Sequence, residues 1–104
     1  MNDRLMSFLG LCRRAGRLAW GADAALKAIR EHKALLVLCT ADLSENSAGD
    51  VAFAAERAGV PMRTLDCTKQ ELGFAIGKVC GVICITDRGF ADKILTMLPY
   101  TKFH

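Results

Sequence analysis

A chain of 104 residues that is 52% hydrophobic can bury one core, which excludes an intrinsically disordered protein and predicts a single domain over residues 1–104. A formal net charge of +3 is too small by itself to argue for a nucleic-acid partner. The longest apolar runs, Ala34–Cys39 and Gly81–Ile85, fall far short of the roughly 20 residues of a spanning helix, and the opening Asn2-Asp3-Arg4 does not begin a secretory leader; a cytoplasmic protein without a membrane partner is expected.

Asp3 to Arg14 places Leu5, Phe8, Leu9 and Cys12 at the spacing of one helical face. Asn2 or Asp3 can cap its start, and Gly16 stops it. Leu18–Trp20 is short, as an edge strand would be. Ala22 to His32 reads as a second helix with Ala25, Leu26 and Ile29 on one side. The run Ala34–Cys39 is continuously apolar, which fits a central strand covered on both faces. Thr40 to Glu45 is a polar loop, with Ser44 placed to cap a helix over Asn46–Ala58. Gly59 stops that helix, and Val60-Pro61 opens a strand, Met62–Leu65, less apolar and so nearer an edge. Thr68-Lys69-Gln70-Glu71 has the pattern of a capping box, ahead of a helix that runs to Ile76 and ends at Gly77. Val82–Ile85 is the second wholly apolar strand, and Asp87–Leu98 closes as a helix with Pro99 beyond it. Strands separated by helices predict βαβ crossovers. The expected fold is therefore α/β: a three-layer α/β/α sandwich around a small, mainly parallel or mixed sheet of about four strands, with sites in the loops beyond strand ends.

Charge is unevenly spread. Residues 1–34 carry seven Lys/Arg against three Asp/Glu, residues 35–77 three against six, and residues 78–104 four against two. If the two basic ends converge, they make one positive face with an acidic back. The five cysteines (12, 39, 67, 80 and 84) contain no CxxC pair, and Cys80 and Cys84 lack zinc-knuckle spacing. Buried, reduced thiols are expected, with no metal and no cofactor. His32 and His104 read as solvated.

Candidate chemistry concentrates between Arg13 and Ile29. Arg13, Arg14 and Arg17 precede the short piece Leu18-Ala19-Trp20, and Gly21 breaks the chain just before a helix. Such a junction presents free backbone N–H groups and the positive end of a helix dipole, and guanidinium groups beside it make an anion site for which phosphate is the natural ligand. Plain alternatives stand beside this reading. Asp23 favours a helix start whatever is bound there, Lys27 alone is a solvated cation, the arginines alone are a solubilising face, and Trp20 is ordinary packing.

A resemblance now emerges from several pieces in order. They are Leu9-Gly10-Leu11 with Arg14-Ala15-Gly16-Arg17; Gly21 with Lys27-Ala28-Ile29; Leu36-Val37-Leu38 with Ala41-Asp42; Ser44-Glu45-Asn46; Val60-Pro61; Glu71-Leu72-Gly73 with Ala75-Ile76-Gly77-Lys78; and Asp87-Arg88-Gly89-Phe90-Ala91. Together they resemble the kink-turn RNA-binding superfamily of the ribosomal L-seven-Ae, L-thirty-e, S-twelve-e and Gadd-forty-five type, and most of all its small bacterial YlxQ-type members. The resemblance implies recognition of a kinked RNA helix–bulge–helix. The helix after Gly21 would enter a widened groove through the positions of Asp23, Ala24 and Lys27. The largely apolar segment Lys78, Val79, Cys80, Gly81 and Val82 would cover an extruded base, and Arg14 and Arg17 would add phosphate contacts. Family members commonly carry asparagine or lysine and then glutamate or glutamine where this chain has Asp23 and Ala24. Ala24 offers no side-chain hydrogen bond, so altered RNA specificity is expected.

An enzyme is not expected: the chain has neither GxGxxG nor GxxxxGK[ST], and no nucleophile–base pair stands out. The expected partner is structured RNA, ribosomal RNA or another kink-turn RNA, with the ribosome itself as a candidate and no DNA. The alternative is a protein-interaction or regulatory module on the same fold, which a broad apolar patch around Gly21–Lys27 and Lys78–Val82 would favour over a basic groove.

Overall fold

Local signals set most element boundaries. A computed structural model describes residues 3–98, so Asn2, Pro99 and His104 lie outside the described residues. The order is α1 (Asp3–Arg14), β1 (Leu18–Trp20), α2 (Ala22–Arg30), β2 (Leu36–Cys39), α3 (Glu45–Ala58), β3 (Met62–Thr64), α4 (Lys69–Ile76), β4 (Val82–Ile85) and α5 (Arg88–Met97). Ser44 caps α3 by accepting from the Ser47 N–H at 3.3 Å. The capping box of α4 is complete: the Thr68 hydroxyl accepts from the Glu71 N–H at 3.1 Å, and Glu71 accepts from the Thr68 N–H at 2.8 Å. Asp87 caps α5 through the Phe90 N–H at 2.9 Å. Two boundaries differ by two residues: β2 begins at Leu36, not at Ala34, and α2 ends at Arg30, not at His32. His32 adopts φ 61°, a left-handed conformation that closes the turn where no glycine marks it.

The sheet is mixed, with strand order β1-β4-β2-β3. β2 and β3 pair in parallel, while β4 pairs antiparallel with β1 and with β2. β1, β2 and β3 therefore point one way, as crossover connections require, and β4 returns between β1 and β2 in the opposite sense. The mainly parallel form of the expected sheet is thus not the one adopted. A continuous apolar run reports that helices cover both faces of a strand, and it carries no information about direction. Both central strands are wholly buried, and β1 and β3 are the edges.

Alternation along the central strands divides the core. Leu36, Leu38, Ile83 and Ile85 face α1, α4 and α5, meeting Leu5, Leu9, Cys12, Leu72, Ile76 and Ile94. Val37, Cys39, Val82 and Cys84 face α2 and α3, meeting Ala25, Ala28, Ile29, Val51 and Ala55. Each fully buried Leu or Ile contributes about 1.5–3 kcal/mol of transfer free energy, so the first layer is the stronger. Among the described residues, no helix is long and apolar enough to cross a membrane.

Because β1, β2 and β3 share a direction, their following helices, α2, α3 and α4, all begin at one end of the sheet. β4 begins at that same end. The candidate site lies there.

Candidate nucleic-acid interface

Four helices have described N-caps, and three of those caps carry a side-chain hydrogen bond; α2 does not. Its cap is Gly21 at φ 96°, ψ 152°, a region that essentially only glycine occupies. No atom lies within 4 Å of where a Gly21 Cβ would sit, so backbone conformation rather than crowding demands the glycine. The first-turn amides of α2 are thus left without a side-chain acceptor, next to the positive end of the helix dipole.

This start is joined to the loop before β4. The Gly21 N–H donates to the Val82 carbonyl at 2.8 Å, continuing the β1–β4 ladder in which Trp20 faces Ile83. On the other side, the Thr40 N–H donates to the Gly81 carbonyl at 2.9 Å. The loop is held down by close contacts at two glycines. A Cβ on Gly73 would stand 2.8 Å from Val79 Cγ2, and one on Gly81 would stand 2.6 Å from Leu43 Cδ1. Burial pushes the Cys80 thiol up, against hydrogen bonds from the Gly21 and Val82 backbone, so it stays neutral at neutral pH and seals the joint between α2 and the loop.

The predicted residues separate into three groups. Gly21, Asp23, Lys27, Lys78, Val79, Cys80 and Gly81 come together at this end of the sheet, with Asp23, Lys27, Lys78 and Val79 exposed. Val79 is 66% exposed, an apolar side chain presented to solvent. Val82 shares the location only through its backbone, because its side chain is buried against α2 and α3. Arg14 and Arg17 are elsewhere. Arg14 lines two grooves over α1, beside Glu71 and Phe74 and beside Phe8 and Lys93, which contain no residue of α2 or of the loop. Arg17 lies at the far end of β1, where its carbonyl accepts from the Thr86 N–H at 3.0 Å. A turn of about 100° per residue separates neighbours on a helix, so Arg13 and Arg14 cannot serve the same surface equally.

Arg13 is the arginine that reaches the site. Its guanidinium lies over the Trp20 ring, 4.6 Å from the centroid, and Lys78 Nζ lies 5.8 Å from the same centroid. The Arg13 guanidinium also lies against Gly77, at the end of α4. Lys27 points from the second turn of α2 with 66% of its side chain exposed, in an i,i+4 pair with Glu31 at 3.6 Å. That pair is solvent-exposed and weak. Lys27, together with Lys33, holds the Glu31 carboxyl below its ordinary range. Sequence reasoning missed Thr40, a buried threonine whose only signal is a polar residue directly after a strand. The arrangement offers open amides, a lysine, an apolar loop and two further cations to an anionic, base-bearing ligand. Among the described residues, no group of three or more potential metal ligands is assembled.

A family model described as "Ribosomal protein L7Ae/L30e/S12e/Gadd45 family" matches residues 3–95. RNA-binding protein YlxQ of Bacillus subtilis (strain 168) is 38% identical over 91 residues, covering 86% of this chain and 90% of that protein. RNA-binding protein YlxQ of Enterococcus faecium is 36% identical over 92 residues, covering 88% of each. A solved structure of a protein with unknown function from Bacillus halodurans C superposes with a TM-score of 0.86 at 28% identity, covering 92% of this chain and 97% of that one.

Proposed function

The chain belongs to the Ribosomal protein L7Ae/L30e/S12e/Gadd45 family, and on that premise we propose that it is a non-catalytic protein of the cytoplasm that binds structured RNA, a kink-turn or a related motif, with ribosomal RNA the first candidate. The observation that carries this reading is the uncapped start of α2 fastened, by the Gly21–Val82 hydrogen bond, to the first residue of β4, directly after the 78–81 loop. One rigid surface then presents open amides and Lys27 on one side and Val79 on the other. Distorted RNA exposes both matching features, phosphates drawn close together at a bend and bases turned out of the stack. The relatives named RNA-binding protein YlxQ support the ligand class.

Lys27 donates to base edges or phosphate in the groove, and Asp23 can accept from a guanine N–H while stabilising the helix start. Ala24 supplies no side-chain hydrogen bond; one missing polar base contact costs about 1–3 kcal/mol by analogy with DNA readout. Recognition therefore leans on shape, amides and the apolar loop.

The test is a titration of labelled kink-turn RNA and of a plain duplex of equal length at two salt concentrations. The kink-turn is expected to bind more tightly and to keep that advantage at the higher salt. Lys27→Ala is expected to weaken kink-turn binding about tenfold without lowering the melting temperature. Equal binding to both RNAs, erased by salt, would leave phosphate attraction alone.

A further inference from the structure

We infer that Arg13, Trp20 and Lys78 form an accessory site for RNA backbone phosphates on the α1/α4 side of the edge strand, distinct from the start of α2. The inference rests on the RNA-binding reading above. Arg13 and Lys78 come from opposite parts of the chain and converge on one indole, with neither charged group more than 5.8 Å from the ring centre. Two cations brought together repel, and an arrangement of this kind is relieved by a carboxylate or by an anionic ligand. Neither Arg13 nor Lys78 makes an ion pair with a carboxylate among the described residues. Lys27 and Lys33, by contrast, both pair with Glu31 at the C-terminal end of α2.

Two further observations concern how far the protein itself satisfies these cations. Arg13 Nε is buried with no hydrogen-bond partner, so the guanidinium is held in place with part of its donor capacity unused. The C-terminal end of α4, beside Gly77, offers about half a negative charge, which is less than two cations require. Trp20 draws both groups together: the guanidinium carbon lies over its π face, and its 38% exposure leaves the indole in contact with solvent. Phosphate is the anion that fits, since the cations sit beside the loop that the proposed RNA surface already includes, and a planar guanidinium can donate to two phosphate oxygens at once.

Trp20 is the only tryptophan in the chain, so its emission reports on this site alone. The experiment titrates the full chain with the kink-turn RNA, following labelled-RNA anisotropy and Trp20 emission together, for wild type, Lys78→Gln and Arg13→Gln/Lys78→Gln. Lys78 is an exposed loop residue, so the single variant keeps the fold. Trp20 emission is expected to change with the same midpoint as the anisotropy. Each lost cation is expected to reduce the slope of log K against log salt by about 0.7–0.9, which makes the affinity loss between 50 and 200 mM salt about threefold smaller per site. RNA that binds by anisotropy with Trp20 emission unchanged, or with the salt slope unchanged in both variants, would overturn this site and leave the α2 surface standing. No anisotropy change with any RNA would overturn both.

Discussion

Two helices begin at the same end of the sheet and treat their open amides in opposite ways. The start of α4 is bonded from within: Thr68 and Glu71 complete a reciprocal box, and Asp42, 27 residues upstream, accepts from the Lys69 N–H at 3.0 Å. The start of α2 has no side-chain cap. A good cap is worth about 0.5–2 kcal/mol, so α2 forgoes stability that α4 takes. The difference teaches where the protein keeps its structure and where it keeps its receptivity. Amides already bonded to the chain are unavailable to a ligand, and amides left open become available to one.

The largest expected effect comes from Gly21. Gly21→Ala forces an L residue into the glycine-only region at the junction with Val82, which costs about 1–3 kcal/mol. Urea unfolding should show that loss, and kink-turn affinity should fall further than Lys27→Ala lowers it. Full affinity in a destabilised Gly21→Ala protein would break the link between the junction and binding.

Thr68→Ala tests the opposite helix start. It should cost about 1 kcal/mol in unfolding and leave RNA affinity unchanged. A matching loss of affinity would mean that the α4 start, too, contacts the ligand.

Acid pH sharpens the same contrast. Partial desolvation raises the Asp42 carboxyl, but the Thr40 hydroxyl and the Lys69 amide outweigh it, and the net shift is below the ordinary value of 3.8. A carboxyl depressed in the folded state contributes stability that is complete above its unfolded pKa and lost as pH falls through the folded one. Denaturation midpoints should therefore fall as the pH is lowered below about 4, and Asp42→Asn should remove part of that dependence. An acid limb identical in Asp42→Asn would show that the α4 start does not depend on this carboxylate.

The smallest effect is at the end of α2. Glu31→Gln frees Lys27 from its exposed pair and should tighten kink-turn binding about twofold, the scale of an exposed i,i+4 interaction, with no change in melting temperature. Unchanged affinity would place Lys27 beyond the influence of its neighbour.

Much of the framework was legible residue by residue. The limits of α3 and α4 follow from Ser44, Gly59, the Thr68–Glu71 box and Gly77, and the two central strands follow from unbroken apolar runs. The end of α2 was not legible, because His32 takes a left-handed conformation that the sequence signals only with glycine or asparagine. Within the candidate site, Gly21, Asp23 and Lys27 were legible because they share one helix start. The choice of Arg13 over Arg14 was not, since it depends on which side of α1 meets β1 and the loop after α4.

The sequence by itself determined the limits of α3 and α4, the buried strands and the glycine before α2, because those signals act over three or four neighbouring residues. The tertiary structure alone decided that β4 enters between β1 and β2, that the Gly21 N–H meets the Val82 carbonyl 61 positions later, and that Arg13 and Lys78 share Trp20. Such contacts join distant segments through backbone pairing and cation–π attraction. Neither leaves a periodic mark in the chain, since each depends on where the packed layers bring the segments together.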